Sequence, residues 1–232
     1  MSLYMLSKKR LEFPSPNLAD EDGLLAFGGD LSVQRLVLAY SSGIFPWFSD
    51  GSPIMWWSPD PRLVLIPEEF KLSESLLRVI KSGEFEITTD TAFAEVIDAC
   101  SSVPRKDQDG TWITDSMKNA YIQLHNEGYA HSFEVWKDGV LSGGLYGISL
   151  GKAFFGESMF HKVSNASKVA TWALVRFCQR YDFKFIDAQV TTEHLLSLGA
   201  KEISREEYLR LLSDALNGET MKGTWLSSSR KG

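Results

Sequence analysis

The chain has 232 residues, of which 44% are hydrophobic and 23% are charged, and its formal net charge is −6. This composition is ordinary for a globular protein, and the length allows one large domain or a small domain beside a medium one. The negative net charge argues against a protein that coats duplex nucleic acid, because such proteins need a broad basic surface.

The sequence also lacks the marks of membrane and metal proteins. No apolar run is long enough to cross a bilayer, and the N-terminus lacks the basic-then-apolar order of a signal peptide. Cys100 and Cys178 both fall in apolar helical contexts, which predicts reduced core residues. No spacing of His and Cys is typical of a zinc site. We expect a cytoplasmic protein with no membrane association and no metal.

The first part of the chain combines a short helix with aromatic segments. Asp30 or Ser32 is predicted to cap a helix that closes at Gly43. Trp47 and the run Trp56–Arg62 then fall in segments that are rich in Pro, Gly, Ser and Asp. Large rings on proline-stiffened loops suit stacking against a planar ligand such as a nucleobase. The alternative is that these rings fill the seam between a small lobe and the main domain.

A buried strand ended by proline is predicted over 62–67, and we place the domain boundary there. The predicted domains are a small α/β domain over 1–65 and a catalytic domain over 66–232. The elements expected next are a helix from Ser73 to Lys81, a strand over 85–88, a helix over 91–100, a loop over 101–111 and a helix from Thr114 or Asp115 to Asn126.

The clearest local signal is Asp138-Gly139, a two-residue hairpin turn between strands 130–136 and 140–148. The later elements are predicted as a strand over 153–160, a long helix over 165–181, a strand over 183–190, a short helix capped by Thr191 or Thr192, a segment over 200–203 and a helix over 204–212. Consecutive antiparallel strands followed by a long helix indicate an α+β fold. The order is similar to the N-acetyltransferase fold, a mostly antiparallel sheet flanked by helices.

Two of these strands carry candidate catalytic residues. Glu157 and Met159 share one face of their strand, and Asp187 and Gln189 share one face of another, because side chains two apart point the same way. A carboxylate beside an amide can orient an amine nucleophile, with the Gln189 oxygen as acceptor. Asp187 can take up the proton or fix Gln189. The alternative is that these are ordinary polar residues on a solvent-facing side of the sheet.

The segment Lys162–Lys168, at the start of the long helix, contains no glycine. Acetyl-CoA enzymes with this fold usually carry a glycine-rich loop there for the pyrophosphate. We therefore expect no CoA and no other cofactor.

Eight ordered segments between about residues 11 and 212 carry a more specific resemblance: Phe13–Pro16, Gly23–Leu31, Gly43–Phe48, Trp56–Arg62, Gly110–Thr114, Gly156–Phe160, Asn165–Lys168 and Ser197–Ala200. Together they resemble the bacterial leucyl/phenylalanyl-tRNA–protein transferases. The resemblance implies a small N-terminal domain plus an acetyltransferase-like domain, without metal or CoA. It also implies that Leu or Phe moves from an aminoacyl-tRNA to the N-terminal Arg or Lys of a protein, which marks that protein for degradation.

The resemblance also assigns roles to individual residues. It implies that Trp47 and Trp112 sandwich the terminal adenine of the tRNA, and that Tyr40 and Tyr121 line that end of the site. The other implied positions are the wall of the pocket for the donor side chain, Met159 and Leu145, and the polar catalytic group, Glu157, Asp187 and Gln189. Leu145 stands where the family often has Met.

Two other functions remain open at this point. One is a CoA-dependent N-acetyltransferase, against which the missing glycine loop counts. The other is a non-catalytic binder of RNA 3′ ends, for which the tryptophans would suffice but which leaves Asp187 and Gln189 without a role. We expect a monomer in each case.

Overall fold

In the computed structural model, which describes residues 3–103 and 113–225, two β-sheets are flanked by helices. This confirms the α+β class. The helices are α1 (Val33–Ser41), α2 (Glu74–Ser82), α3 (Phe93–Ser101), α4 (Asp115–Asn126), α5 (Ala166–Arg180), α6 (Glu193–Ser197) and α7 (Arg205–Leu216).

The helix starts follow the predicted capping chemistry. A hydroxyl at the N-cap accepts the backbone N–H three residues on and so satisfies a donor that the helix leaves open. The residues that do so are Ser32, Ser73, Thr114, Thr192 and Ser204. Where the sequence left a choice between two cap residues, the hydroxyl of Ser or Thr caps the helix in each case.

The smaller sheet has four strands in the order β1, β2, β4, β3: β1 (Tyr4–Leu6), β2 (Leu24–Gly28), β4 (Met55–Trp57) and β3 (Phe45–Pro46). Trp56 is fully buried in β4, and its Nε1 donates to the carbonyl of Gly28 at 2.9 Å. The prediction that the double tryptophan lies on loops is therefore wrong. Pairing of β4 with both β2 and β3 turns this segment into the centre of a small sheet despite its proline and glycine content.

The larger sheet has seven strands in the order β11, β5, β10, β9, β8, β7, β6: β11 (Lys201–Ile203), β5 (Arg62–Leu65), β10 (Phe185–Gln189), β9 (Ala153–His161), β8 (Val140–Leu150), β7 (Ala130–Lys137) and β6 (Glu86–Thr89). Only β9 and β10 pair in parallel among the described strands of this sheet. The mostly antiparallel sheet is thus as predicted. The hairpin at Asp138-Gly139 is confirmed too, with positive φ at both residues.

Strand β5 bears on the predicted domain boundary. It lies between β11 and β10 in the larger sheet, whereas the smaller sheet is complete at Trp57. A division of the chain at residue 65 stays a prediction, and the pairing of β5 associates that strand with the second part.

Helices cover both faces of the larger sheet. On β8, Tyr146 and Ile148 belong to the hydrophobic core that includes α3, whereas Leu145 belongs to the core that includes α5. Cys100 and Cys178 are buried and are not joined in a disulfide, as predicted. Within the described residues, no helix is both long and apolar enough to span a bilayer.

Strands β9 and β10 part at one end of their shared edge. Their parallel pairing ends at Phe155 opposite Asp187. Each strand then has one residue without a partner in the strand on its other side. In β9 this residue is Glu157, which falls between the partners of Tyr146 and Gly147 in β8. In β10 it is Ala188, which has no partner in β5. Such bulges occur often beside active sites because they re-aim a side chain. Here they open a gap at the polar residues that the sequence singles out.

Candidate active site

A cavity of about 520 Å³ lies in the gap between β9 and β10. This volume is within the range of about 300–1,000 Å³ that is typical of small-molecule sites. Most of its wall is apolar, and the predicted site residues that line it are Trp47, Leu145, Glu157, Met159, Asp187 and Gln189. The cavity therefore brings together six of the nine residues that the sequence analysis names.

Glu157 accepts hydrogen bonds from three different elements. The Tyr40 hydroxyl donates to Oε1 at 2.7 Å, and the Tyr121 hydroxyl donates to Oε2 at 2.8 Å. The Gln189 Nε2 also donates to Oε1, at 3.2 Å. Both carboxylate oxygens are thus fixed, and the unpaired position of Glu157 in β9 is what lets the side chain reach this group of donors.

The surroundings of Glu157 change its acidity. Burial raises the pKa of Glu157 to about 7, against the lowering effect of the hydroxyls of Tyr40 and Tyr121. The Asp187 carboxylate raises this pKa further, and Arg62 lowers it. A carboxyl group with a pKa near neutrality is suited to gain and lose a proton at the pH of the cell.

Tyr40 and Tyr121 lie beneath Glu157 and are fully buried. Their hydroxyl oxygens also lie within hydrogen-bond distance of each other. Burial, followed by the Glu157 charge, raises the pKa of both tyrosines well above the usual value. The structure therefore gives them direct contact with the carboxylate and no exposed surface in the cavity.

Asp187 is fully buried, and four donors point at its carboxylate. Arg62 donates to it through two nitrogens, at 2.9 Å and 2.7 Å. The Tyr208 hydroxyl donates to Oδ2 at 2.8 Å, and the backbone N–H of Gln189 donates to Oδ1 at 3.0 Å. Asp187 thus holds Gln189 through the main chain of that residue.

Arg62 is itself enclosed. Its guanidinium lies 4.7 Å from the ring centroid of Phe45 and 4.5 Å from that of Tyr208. Burial alone would lower the pKa of Arg62, but the charge of Asp187 more than offsets this effect, so the guanidinium stays protonated. The sequence analysis missed Arg62 and Tyr208. A single Arg at the head of an otherwise apolar strand is a signal of a buried acidic partner.

Gln189 has a positive φ of 56°, and the N–H of Val190 donates to the carbonyl of Ala188 at 2.7 Å. These two features form a tight three-residue turn centred on Gln189. Backbone in a sparsely populated region persists where its surroundings hold it, and such residues cluster at functional sites. The bond from Asp187 to the Gln189 N–H is part of that support.

The tryptophan predictions have different outcomes. Trp47 is partly buried at the cavity wall, and its ring packs against Trp57 at a centroid distance of 5.6 Å. The Trp57 Nε1 donates to the Trp47 carbonyl at 2.7 Å, which fixes the main chain there. Trp112 lies outside the described residues, so its part in a sandwich stays a prediction.

The apolar part of the cavity extends beyond the two residues that the sequence names for the donor pocket. Leu145 and Met159 face each other across β8 and β9. The further lining residues in this part include Thr171, Leu174, Ile186 and Leu195. No local sequence pattern indicates these residues, since they come from α5, β10 and α6. Within the described part of the chain, no group of three or more His, Cys, Asp or Glu is placed to hold a metal ion.

Comparison with known proteins agrees with the resemblance seen in the sequence. Residues 64–213 match the family model of leucyl/phenylalanyl-tRNA protein transferase, and residues 29–60 match the model of its N-terminal domain. The chain is 52% identical over 232 residues to the leucyl/phenylalanyl-tRNA–protein transferase of Desulfatibacillum aliphaticivorans, covering 100% of this chain and 99% of that protein.

A second relative, the protein of the same name from Solidesulfovibrio magneticus, is 55% identical over 214 residues, covering 92% of this chain and 87% of that protein. Among solved structures, an aminoglycoside acetyltransferase from a soil metagenomic sample matches 49% of this chain and 84% of its own, at 17% identity and a TM-score of 0.38. The family models and the full-length relatives are sufficient: this chain belongs to the leucyl/phenylalanyl-tRNA–protein transferase family.

Proposed function

We propose that this protein is an aminoacyltransferase that moves leucine or phenylalanine from an aminoacyl-tRNA to the N-terminal amino group of a protein. The observation that carries the proposal is a cavity that joins an apolar wall, a partly exposed tryptophan and a fixed carboxylate–amide group. We further propose that the acceptor begins with Arg or Lys, that the product is marked for degradation and that the enzyme acts as a monomer.

The tRNA end would be held by stacking. Single-stranded RNA ends are recognised by aromatic rings, and each stacked base is worth about 1–3 kcal/mol. Trp47 supports this role because it lies at the cavity wall with part of its surface exposed. Trp112 would supply the opposite face of the sandwich.

The donor side chain would enter the apolar part of the cavity. Leu145 and Met159 form opposite positions of one wall, and the flexible thioether can adapt to both Leu and Phe. Met159 is two residues from Glu157, so the pocket lies beside the polar group. A β-branched side chain would place bulk next to the ester, which favours Leu and Phe over Val and Ile.

The acceptor amine would meet the polar group. The Gln189 Nε2 donates to Glu157, which leaves the carbonyl oxygen of the same amide to accept from an amine. Asp187 would act by holding Gln189 in place through its backbone N–H. An aminoacyl ester is already activated toward attack by an amine. Alignment of the amine with the ester therefore supplies most of the remaining rate enhancement, since orientation lowers the reaction barrier by up to about 7–11 kcal/mol.

Transfer of labelled phenylalanine from charged tRNA to short peptides tests the proposal. We expect label in peptides that begin with Arg or Lys and none in a peptide of the same sequence with an acetylated α-amine. Labelled acetyl-CoA should transfer nothing. Absence of transfer from charged tRNA, or acetylation of the peptides, would refute the proposed function, and equal transfer to a peptide that begins with Ala would refute the acceptor specificity.

A further inference from the structure

Three side chains, which carry four oxygen atoms, form a closed group at the cavity. The Tyr40 hydroxyl contacts Glu157 Oε1 at 2.7 Å, the Tyr121 hydroxyl contacts Glu157 Oε2 at 2.8 Å, and the two hydroxyls contact each other. The group therefore contains three oxygen–oxygen contacts that each need one proton to be a hydrogen bond.

The tyrosines supply only two of those protons. Each hydroxyl carries one, and burial holds both tyrosines protonated at neutral pH. With Glu157 ionised, one of the three contacts lacks a proton. With Glu157 protonated on Oε2, a ring of three hydrogen bonds closes, running from Glu157 to Tyr121, from Tyr121 to Tyr40 and from Tyr40 back to Glu157. The ring has a place for one added proton.

The other carboxylate at the cavity has no such place. Asp187 receives two bonds from Arg62, one from Tyr208 and one from the Gln189 N–H. Its charge is matched by the guanidinium, and each of these four contacts already has a proton from its donor. Of the two carboxylates that line the cavity in the described part of the chain, only Glu157 belongs to a group with one more oxygen–oxygen contact than protons.

We infer that Glu157 accepts the proton that the acceptor's α-ammonium group must lose before it attacks the ester, and that Tyr40 and Tyr121 position the carboxylate for this transfer. The inference rests on the proposed function and names the base of that reaction. Glu157 and Gln189 both line the cavity, and Nε2 of Gln189 contacts Glu157 Oε1.

The protons and bonds balance over the reaction. The ammonium nitrogen gives one proton to Glu157 and becomes a neutral amine. The amine nitrogen then forms a bond to the ester carbonyl carbon, and the bond from that carbon to the ribose oxygen breaks. The second proton leaves the nitrogen and is taken up by the ribose oxygen. Glu157 returns its proton to water after the products leave the cavity.

The acidities of donor and acceptor are close. A peptide α-amine has a pKa of about 7.7–8.0 in water, and burial raises the pKa of Glu157 to about 7. Proton transfer between them is therefore nearly balanced, as effective acid–base catalysis requires. The titratable or charged groups that face Glu157 are Tyr40 from α1, Tyr121 from α4, Asp187 from β10 and Arg62 from β5.

The first test is the pH dependence of Glu157→Gln. The amide keeps the shape of the protonated carboxyl, with an oxygen that accepts from Tyr40 and an NH₂ that donates to Tyr121, so the variant should fold. The wild type can use the ammonium form of the acceptor, whereas the variant depends on the free amine. We expect the ratio of wild-type to variant kcat/KM, measured with a peptide that begins with Arg, to fall at least about fivefold between pH 6.5 and 8.5.

If the ratio of wild-type to variant kcat/KM is the same at every pH, the inference is wrong and Glu157 only contacts the acceptor. Wild-type transfer in the same series keeps the two questions apart, because an inactive wild type refutes the proposed function and an active one tests only the base.

The second test changes a positioning residue. Tyr121→Phe opens the ring and removes one of the two hydroxyls that fix the Glu157 carboxyl group, so the acid limb of the kcat/KM profile should be displaced from that of the wild type. Tyr129→Phe is the matched control, because it removes a hydroxyl from a tyrosine that is no part of this group. An unshifted acid limb in Tyr121→Phe, with a rate lowered equally at every pH, would overturn the positioning role.

Discussion

Replacement of Arg62 by Met should show how much of the free energy of unfolding depends on the buried ion pair between Arg62 and Asp187. Arg62 and Asp187 are 1% and 0% exposed, so Arg62→Met leaves a buried carboxylate with only the Tyr208 hydroxyl and the Gln189 N–H. Loss of one partner from a buried ion pair costs about 3–5 kcal/mol. For a protein of this size each kcal/mol lowers the unfolding midpoint by about 2–4 °C, which gives an expected decrease of about 6–20 °C.

Urea and thermal unfolding would measure the loss, with Arg210→Met on the exposed face of α7 as the control. The double variant Arg62→Met/Asp187→Asn should recover part of the free energy of unfolding, because it removes the uncompensated charge. Transfer activity should stay low in the double variant, since Asn cannot give Gln189 the same charge-assisted support. A cost below about 1 kcal/mol for Arg62→Met would refute the reasoning that this pair is tightly coupled.

Three further predictions follow from single contacts. Trp47→Ala should raise the KM for charged tRNA by roughly 5–150-fold, the equivalent of about 1–3 kcal/mol of lost stacking, and an unchanged KM at limiting tRNA would exclude the stacking role. Isoleucine should be transferred about 10–200-fold less efficiently than leucine, and Met159→Ala should reduce this difference in efficiency. Equal transfer rates for both amino acids in the wild type would contradict a shape-selective pocket. Trp225→Ala should lower the free energy of unfolding by about 3–5 kcal/mol, because its ring stacks on His131 at 3.5 Å and on Phe177 at 4.3 Å, and an unaltered urea midpoint would contradict this.

The parts of the fold that the sequence predicts well are those fixed by local chemistry. Ser73 and Thr114 begin helices because their hydroxyls cap the first turn, and Asp138-Gly139 makes a hairpin because both residues adopt a positive φ. These signals lie within a few residues of the structure that they determine. The order of elements in the second part of the chain could be read from them almost completely.

The parts that the sequence does not predict depend on pairing between distant segments. Trp56 is central to a sheet because β4 pairs with β2 and β3, and no local pattern indicates that pairing. The same holds for the site. Asp187 and Gln189 do line the same cavity, but a bulge at Ala188 brings this about rather than simple alternation along a strand. Likewise, Arg62 has no visible partner until β5 and β10 are known to be neighbours.

The order in which the contacts are made has a consequence for synthesis of the protein. Tyr40 cannot form its hydrogen bond until Glu157, 117 residues later, has been synthesised. Arg62 likewise has no ion-pair partner until Asp187, 125 residues later, has been synthesised. The last contributor, Tyr208, is close to the end of the described chain and contacts both members of the ion pair. A chain that emerges from the ribosome N-terminus first therefore carries the early half of its active site without the late half. A partly made chain, still attached to its own tRNA and close to other charged tRNAs, cannot assemble the group that would use them.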